Sequence, residues 1–168
     1  MLTMQRVSQA CEVDAVAALA SAIWNQHFVP MIGQAQVDYM LAKFQSSPAI
    51  TRQLADGYEY YLALDGGQGA GYCALVPQPA QRTGQLSKLY VRQECRGRGV
   101  GKSILAFVET RCAVLGIDNL WLTVNRHNAG AIAFYHRMGF VTAGPIVADI
   151  GNGFVMDDYR MVKTIGAC

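Results

Sequence analysis

The stretch YVRQECRGRGVGKS, residues 90–103, ends in the Gly-Lys-Ser tripeptide that closes a nucleotide-binding P-loop. A P-loop also needs a glycine five positions before the glycine of that tripeptide, because the chain turns there around the β-phosphate. Arg96 occupies that position. The dinucleotide-binding spacing G-x-G-x-x-G fails as well, since its third glycine would fall on Lys102 or Ile104. The stretch is rich in glycine and positive charge but follows neither nucleotide-binding pattern.

The neighbouring segments predict that this stretch connects a strand, residues 85–92, to a helix, residues 100–115. A loop in this position directs several backbone N–H groups at one point on the positive end of the helix dipole, which attracts phosphate. Three glycines permit close backbone approach and three basic side chains can add charge-assisted bonds; these are Gly97, Gly99, Gly101, Arg96, Arg98 and Lys102. The alternative is a surface turn whose basic residues are solvated.

Length and composition favour one domain over residues 1–168, since 52% of the side chains are hydrophobic and can bury a substantial core. The net charge is only +2 and the basic residues cluster only at 92–102, which predicts a small anionic ligand and no nucleic-acid partner. No stretch approaches the roughly 18 apolar residues of a membrane span. The five cysteines form an odd number without a C-x-x-C pair, which argues against disulfides and a metal site and indicates reduced thiols in a cytoplasmic protein.

Hydrophobic periodicity predicts strands and helices that alternate along the chain. Strands are predicted at 1–7, 58–64, 70–76, 85–92, 119–124, 140–148 and 154–163, and helices from residue 11 to about 24, at 34–46, 48–55 and 100–115, and after an N-cap at Asn128. Strands that alternate with helices and are flanked by hairpins indicate a mixed sheet in an α/β or α+β domain.

Two segments resemble the GNAT superfamily of N-acetyltransferases. Arg96-x-x-Gly99-x-Gly101 is similar to the acetyl-CoA loop of that family, R/Q-x-x-G-x-G/A, and NAGAIAFYHRMGF at 128–140 resembles its second segment, N-x-x-A-I-x-x-Y-x-x-x-G-F. The resemblance is clear over residues 85–140, which it identifies as the acetyl-CoA-binding core. It implies a single mixed sheet of six or seven strands, flanked by about four helices, whose two central strands splay apart.

The resemblance also implies roles for individual residues. Acetyl-CoA, the co-substrate, is expected to place its pyrophosphate on the loop and its pantetheine on the preceding strand edge; the residues concerned are Leu89, Tyr90, Val91, Arg96, Gly97, Arg98, Gly99, Val100, Gly101, Lys102 and Asn128. Tyr135 matches the family tyrosine that protonates the leaving thiolate. Both residues also have a purely structural interpretation: Asn128 can serve only as a helix cap, and Tyr135 can serve only as an aromatic residue of the core.

The general base is not identified by the resemblance. Many family members carry an acidic residue on the strand before the loop, and this strand has Ser87, Lys88 and Tyr90 instead. Strand alternation places Lys88 on one face with Leu86 and Tyr90. Glu59, His27 or a chain of water molecules are the candidates for removing the proton.

The acceptor site is predicted within residues 24–61, which are rich in aromatic side chains and Met and include Asp38, Asp56 and Glu59. Carboxylates beside aromatic faces favour a small cationic amine such as a polyamine. The ending DDYRMVKTI is similar to a bacterial branch that includes polyamine acetyltransferases. A peptide or protein amine, or a non-catalytic acetyl-CoA-binding module, are the alternatives. A homodimer through the last strands or an exposed helix is common in the family.

Overall fold

The computed structural model describes residues 1–166, which form one seven-stranded sheet and six α-helices; Cys168 lies outside this range. In chain order the elements are β1 (Leu2–Arg6), α1 (Ala10–His27), α2 (Val29–Ile32), α3 (Gln34–Met40), α4 (Ser47–Ala55), β2 (Glu59–Asp65), β3 (Gln68–Gln78), β4 (Thr83–Val91), α5 (Val100–Val114), β5 (Asn119–Asn125), α6 (Ala129–Arg137), β6 (Val141–Gly151) and β7 (Phe154–Thr164). A π-helical turn, Leu41–Gln45, joins α3 to α4. The family resemblance implied about four helices and hydrophobic periodicity predicted five; the sixth is the short α2, which Gly33 separates from α3.

The strand order in the sheet is β1-β2-β3-β4-β5-β7-β6, and β4 and β5 are the parallel pair at its centre. These two strands pair over three residues only, from Thr83 opposite Asn119 to Gln85 opposite Trp121. Further along, β4 remains paired with β3, and β5 remains paired with β7. The two central strands therefore separate, which confirms the predicted mixed sheet with splayed central strands.

Two hydrophobic cores lie on opposite faces of the sheet. On one face α5 buries Ile104 and Val108 in a cluster with strand residues such as Leu122. On the other face α1 buries residues such as Val16 in a cluster that includes Tyr60 and extends to α3. Since α6 belongs to the first cluster, the helices form one layer of α5 and α6 and a second layer of α1 to α4.

A β-bulge at Ser87 changes the direction of the side chains along β4. The register shifts there, so that Ala74 of β3 lies opposite Lys88 and the next residue of β3 lies opposite Leu86. Leu86 packs in the core under α5, whereas Lys88 faces α1 to α4 together with Tyr90. The prediction that Leu86 shares a face with Lys88 was therefore wrong, because simple alternation does not include the extra residue of a bulge.

Lys88 anchors this bulge to the layer of helices above it. The residue is 5% exposed, and its Nζ donates to the Phe44 carbonyl in the π-helical turn, to the Tyr60 hydroxyl and to Gln53 Oε1 at 3.0 Å. Burial lowers the pKa of Lys88 to about 7. These three bonds connect the central strand to the π-helical turn, to α4 and to β2.

Glu59, at the start of β2, is a buried carboxylate on the α5 side of the sheet. Arg111 donates to it from Nε at 2.8 Å, the Tyr61 hydroxyl donates to it, and Arg6 lies 3.4 Å away. Burial by itself raises the pKa of Glu59, but these hydrogen bonds and positive charges outweigh burial, so the pKa lies below its ordinary value. Glu59 is therefore fully paired within the fold.

We expect Glu59→Gln to lower the free energy of unfolding at pH 7 by roughly 1–3 kcal/mol, because Arg111 loses its ionised acceptor. A depressed folded pKa gives stability that is present above the ordinary pKa of 4.5 and is lost as the pH falls through the folded value. Urea unfolding should therefore show a difference between wild type and variant at pH 7 that shrinks towards pH 3.

Glu94→Gln is the matched control, since this carboxylate is 61% exposed and lies 3.5 Å from Arg92. We expect its effect to stay below about 0.5 kcal/mol. Equal effects of the two substitutions, or a Glu59 effect that is independent of pH, would contradict the structural role of Glu59.

Candidate functional site

The glycine loop, residues 96–99, leads directly into the N-terminus of α5. Gly97 and Gly99 have φ of +74° and +78°, a backbone conformation that favours glycine, and a Cβ at either position would meet no atom within 4 Å. The first intrahelical bond runs from the Ser103 N–H to the Gly99 carbonyl at 3.0 Å. The N–H groups of residues 100–102 therefore have no acceptor within the helix and form an open cradle that fits an anion.

Gly101 serves a different purpose from the other two glycines. It lies inside α5, and a Cβ there would approach the Phe134 ring to 3.3 Å. Its small size therefore allows the first turn of α5 to pack closely against α6. This packing brings the glycine loop and α6 to the same end of the splay.

The basic side chains of the loop point in different directions. Arg96 donates from Nε to the Val91 carbonyl at 3.2 Å, and its Nη1 lies 3.1 Å from His27 Nδ1, so its guanidinium borders the cleft between the strands. Lys102 also lines this cleft. Arg98 instead donates to Asp65 at 3.1 Å and does not line it. Only the backbone of Arg98 is therefore available to an anion in the cradle.

The splay opens into a cleft of about 630 Å³. Its walls come from α1 to α3, β4, the glycine loop, α5, β5, α6 and β7. Several residues that the sequence predicted to bind the cofactor line this cleft together with the glycine loop. They are Leu89, Tyr90, Val91, Val100 and Asn128.

The open edge of β4 presents backbone groups to the cleft. The Arg92 N–H donates to the Ala70 carbonyl at 2.8 Å, which directs the backbone of Arg92 towards β3. Backbone groups of successive residues in a strand point to opposite edges, so those of Val91 and Leu89 point towards the splay. This edge has the geometry for pairing with an extended amide-containing chain.

Tyr135 is a buried residue of α6 whose side chain lines the cleft opposite the layer of α1 to α4. Its ring packs edge-to-face between Phe134 and Phe140, with centroids 5.2 and 5.5 Å away. Burial raises the pKa of Tyr135, and the nearby Cys73 adds to this effect, so the phenol is protonated at neutral pH. Its hydroxyl forms no hydrogen bond with residues 1–166 and is available to a ligand.

Asn128 has a structural role and also borders the site. Its Oδ1 accepts from the Ala131 N–H at 3.3 Å, which caps α6, and the residue lines the cleft. His27 borders the same end of the cleft. Burial, followed by the charge of Arg96, lowers the pKa of His27, so its ring is neutral at pH 7.

The carboxylates predicted for the acceptor site do not line the cleft. Glu59 is paired with Arg111 on the α5 side of the sheet, Asp38 accepts from Gln34 on the surface of α3, and Asp56 follows the end of α4. Glu59 is therefore excluded as the general base by its position. This prediction failed because the pairing of Glu59 depends on α5, which is distant in sequence.

Sequence reasoning missed Asp158, a residue of β7 that lines the cleft and is 5% exposed. It lies opposite Asn125 of β5, beside the splay. Burial raises the pKa of Asp158 to about 6, with a further contribution from Asp157, against a hydrogen bond from Thr123. The acidic pair Asp157-Asp158 directly after the apolar residues 154–156 is the signal that could have drawn attention to it.

Within residues 1–166 no three His, Cys, Asp or Glu side chains gather closely enough to hold a metal ion. In the same range no helix combines the length and the apolarity that crossing a bilayer requires.

The chain is similar to known acetyltransferases in sequence. Residues 21–140 match the model of the Acetyltransferase (GNAT) family. An N-acetyltransferase of Mycobacterium bovis, itself described as uncharacterised, is 27% identical over 155 residues, which cover 92% of this chain and 98% of the relative.

Two solved structures share the fold. The PaiA N-acetyltransferase of Thermoplasma acidophilum, in complex with coenzyme A, aligns with a TM-score of 0.80 over 98% of this chain and 99% of its own, at 18% identity. The ribosomal-protein-S18-alanine N-acetyltransferase of Escherichia coli aligns with a TM-score of 0.74 over 100% of this chain and 96% of its own, also at 18% identity. At these identities the likeness extends to the fold alone.

The family match covers well over half of the chain and includes the glycine loop, the open edge of β4 and the helix that carries Tyr135. The anion cradle and the cleft between the splayed strands fit acetyl-CoA as the co-substrate. The chain therefore belongs to the GNAT acetyltransferase family and is an acetyl-CoA-dependent N-acetyltransferase.

Proposed function

We propose that this enzyme acetylates a small primary amine that has an apolar body and carries its positive charge on the nitrogen that receives the acetyl group. The acceptor half of the cleft, on the side of α1 to α3, carries this proposal. Its walls are aromatic and apolar side chains such as Trp24, Phe28, Met40 and Met156. Asp158 is the only carboxylate among the residues that line the cleft in the described chain.

A single carboxylate favours a monoamine over the polyamine that the sequence suggested. A second ammonium group needs a second acidic partner, and Asp38, Asp56 and Glu59 lie outside the cleft lining. The basic side chains of the lining, such as Arg96 and Arg137, repel an additional cation. The aromatic walls instead favour an apolar body.

A contact between α3 and the hairpin of β6 and β7 supports a small acceptor over an extended peptide. The Tyr39 hydroxyl donates to the Ile150 carbonyl at 2.6 Å, Lys43 donates to the same carbonyl, and Gln36 Nε2 donates to the Val155 carbonyl at 3.1 Å. This contact places a wall beside the acceptor half of the cleft. A peptide substrate needs an open groove at that position.

The chain supplies four elements for acetyl transfer. The N-terminal N–H groups of α5 hold the pyrophosphate, and the edge at Leu89 and Val91 pairs with the pantetheine arm. A backbone N–H near the end of β4 stabilises the oxyanion that forms on the thioester carbonyl. Tyr135, kept protonated by burial, gives its proton to the leaving thiolate.

Release of CoA thiol with a panel of amines tests the proposed acceptor. We expect benzylamine or phenethylamine to have the highest kcat/KM, and spermidine to be at least about tenfold poorer, because one desolvated charge without a partner costs more than 1.4 kcal/mol. A preference for spermidine or for an alanine-terminated peptide would contradict the proposal.

Substitution of Arg96 tests the anion cradle. We expect Arg96→Ala to weaken acetyl-CoA binding roughly tenfold, the value of one charge-assisted hydrogen bond. Arg98→Ala should weaken it less than about threefold, because this side chain is held by Asp65. Isothermal titration with acetyl-CoA measures both variants, and a larger loss in Arg98→Ala would show that the Arg98 side chain leaves Asp65 for the ligand.

Tyr135→Phe tests the general acid. We expect kcat to fall roughly 10²-fold or more while the acetyl-CoA dissociation constant stays within about twofold, because only the proton donor is removed. Tyr159→Phe is the matched control, since Tyr159 packs against the same core but does not line the cleft. Normal turnover of Tyr135→Phe would exclude the proton-donor role.

A further inference from the structure

Asp158 occupies the face of β7 that is turned towards the acceptor. Along this strand Phe154 and Met156 belong to the cluster under α1, whereas Tyr159 and Met161 belong to the cluster under α5. Because side chains alternate along a strand, Asp158 lies on the same face as Met156. It therefore faces the acceptor half of the cleft, on the side where Tyr90 projects from β4.

Asp158 lacks the cationic partner that a buried carboxylate usually has. Glu59 has two arginine partners and Asp157 is paired with Arg126 at 3.1 Å, but Asp158 forms no ion pair within residues 1–166. A buried charge without a partner is destabilising, and a bound cation removes that cost. A primary ammonium group that enters the cleft is such a cation.

The other proton acceptors of the cleft are already engaged. His27 Nδ1 lies 3.1 Å from the Arg96 guanidinium, at the end of the cleft next to the glycine loop. The Lys88 amine donates to three oxygen atoms beneath the π-helical turn. The remaining ionisable side chains of the lining are the phenols of Tyr90 and Tyr135, whose pKa burial raises, and the basic side chains of Lys102 and Arg137.

We propose that Asp158 is the general base of the reaction, which binds the ammonium group of the acceptor and removes its proton. This inference rests on the proposed function, because it requires a protonated primary amine as the acceptor. Asp158 takes the place of an acidic residue on β4, which this chain lacks. The base thus comes from the strand across the splay.

The proton balance of the reaction follows from these positions. The Asp158 carboxylate takes one proton from R–NH₃⁺, and the nitrogen lone pair of the resulting amine forms a bond with the thioester carbonyl carbon. When the tetrahedral intermediate collapses, the C–S bond breaks and its electron pair goes to sulfur, which takes the Tyr135 proton. The second nitrogen proton restores Tyr135, and Asp158 releases its proton to water. The net products are the amide, CoA thiol and one proton.

The surroundings of Asp158 adjust its basicity to neutral pH. Thr123 from β5 hydrogen-bonds to it, Asp157 is its neighbour on β7, and Tyr90 faces it from β4. The cleft has further ionisable groups near the acetyl-transfer site. They are Lys88 of β4, Tyr135 and Arg137 of α6, and His27 and Arg96 at the end next to the glycine loop. Burial dominates and raises the pKa of Asp158 to about 6, so the carboxylate is ionised at pH 7 and accepts a proton readily.

The pH dependence of kcat/KM for the best amine of the panel tests the assignment. In the wild type we expect kcat/KM to fall tenfold per pH unit below about pH 6, because the base must be ionised. In Asp158→Asn we expect a 10²–10⁴-fold loss at pH 7, the usual contribution of a general base. This loss should shrink as the pH rises towards the pKa of the amine, since free amine then needs no base.

A binding measurement gives a second readout that does not depend on turnover. We expect benzylammonium to bind the CoA complex of Asp158→Asn at least about tenfold more weakly than the wild-type complex at pH 7.5. The wild-type affinity should fall in the same direction at pH 5, where Asp158 is protonated. Equal dissociation constants in the two proteins would overturn the proposal.

Asp118→Asn is the control, because this carboxylate is paired with Arg82 at 2.8 Å and does not line the cleft. We expect its kcat/KM to stay within about twofold of wild type. If the wild type turns over and Asp158→Asn keeps the wild-type pH profile, the base assignment alone is overturned, even if amine binding is weaker. If the wild type releases no CoA with any amine, the proposed function is wrong and this inference fails with it.

Discussion

The hydrogen-bonded pairing between β4 and β5 stops after three residues, and the rest of the structure depends on this constraint. Two adjacent parallel strands at the centre of a sheet normally pair along their length, and here they share three residue pairs. Beyond that point, the backbone N–H and C=O groups on the facing edges of β4 and β5 have no partner strand, and buried backbone groups without partners are costly. The splay therefore creates both a cleft and a set of hydrogen-bonding groups that the pantetheine arm of acetyl-CoA can satisfy.

The splay is held open by contacts on both sides of the sheet. On one side the bulge at Ser87 turns Lys88 into the layer of α1 to α4, where the π-helical turn supplies the Phe44 carbonyl as an acceptor. On the other side Gly101 lets α5 pack against Phe134 of α6. The cofactor half and the acceptor half of the site thus belong to different helical layers and meet only where the strands part.

The two buried carboxylates Glu59 and Asp158 differ in whether their charge is compensated by neighbouring side chains. Glu59 is surrounded by Arg111, Arg6 and the Tyr61 hydroxyl, which depress its pKa and commit it to the fold. Asp158 lies in the cleft without a cation, and burial raises its pKa. A carboxylate whose charge is fully compensated stabilises the native state, whereas one that is left uncompensated is available to a cationic substrate.

The sequence by itself determined the order of strands and helices, the glycine loop before α5 and the position of Tyr135 on α6, because these features depend on short-range periodicity and local motifs. The tertiary structure alone decided that Lys88 faces α1 to α4, that Arg98 turns to Asp65, and that Asp158 lines the cleft. A bulge, an ion pair and the insertion of β7 beside β5 each join segments that are distant in the chain. Local patterns carry no information about which distant segment a side chain will meet, so these positions follow only from the packed fold.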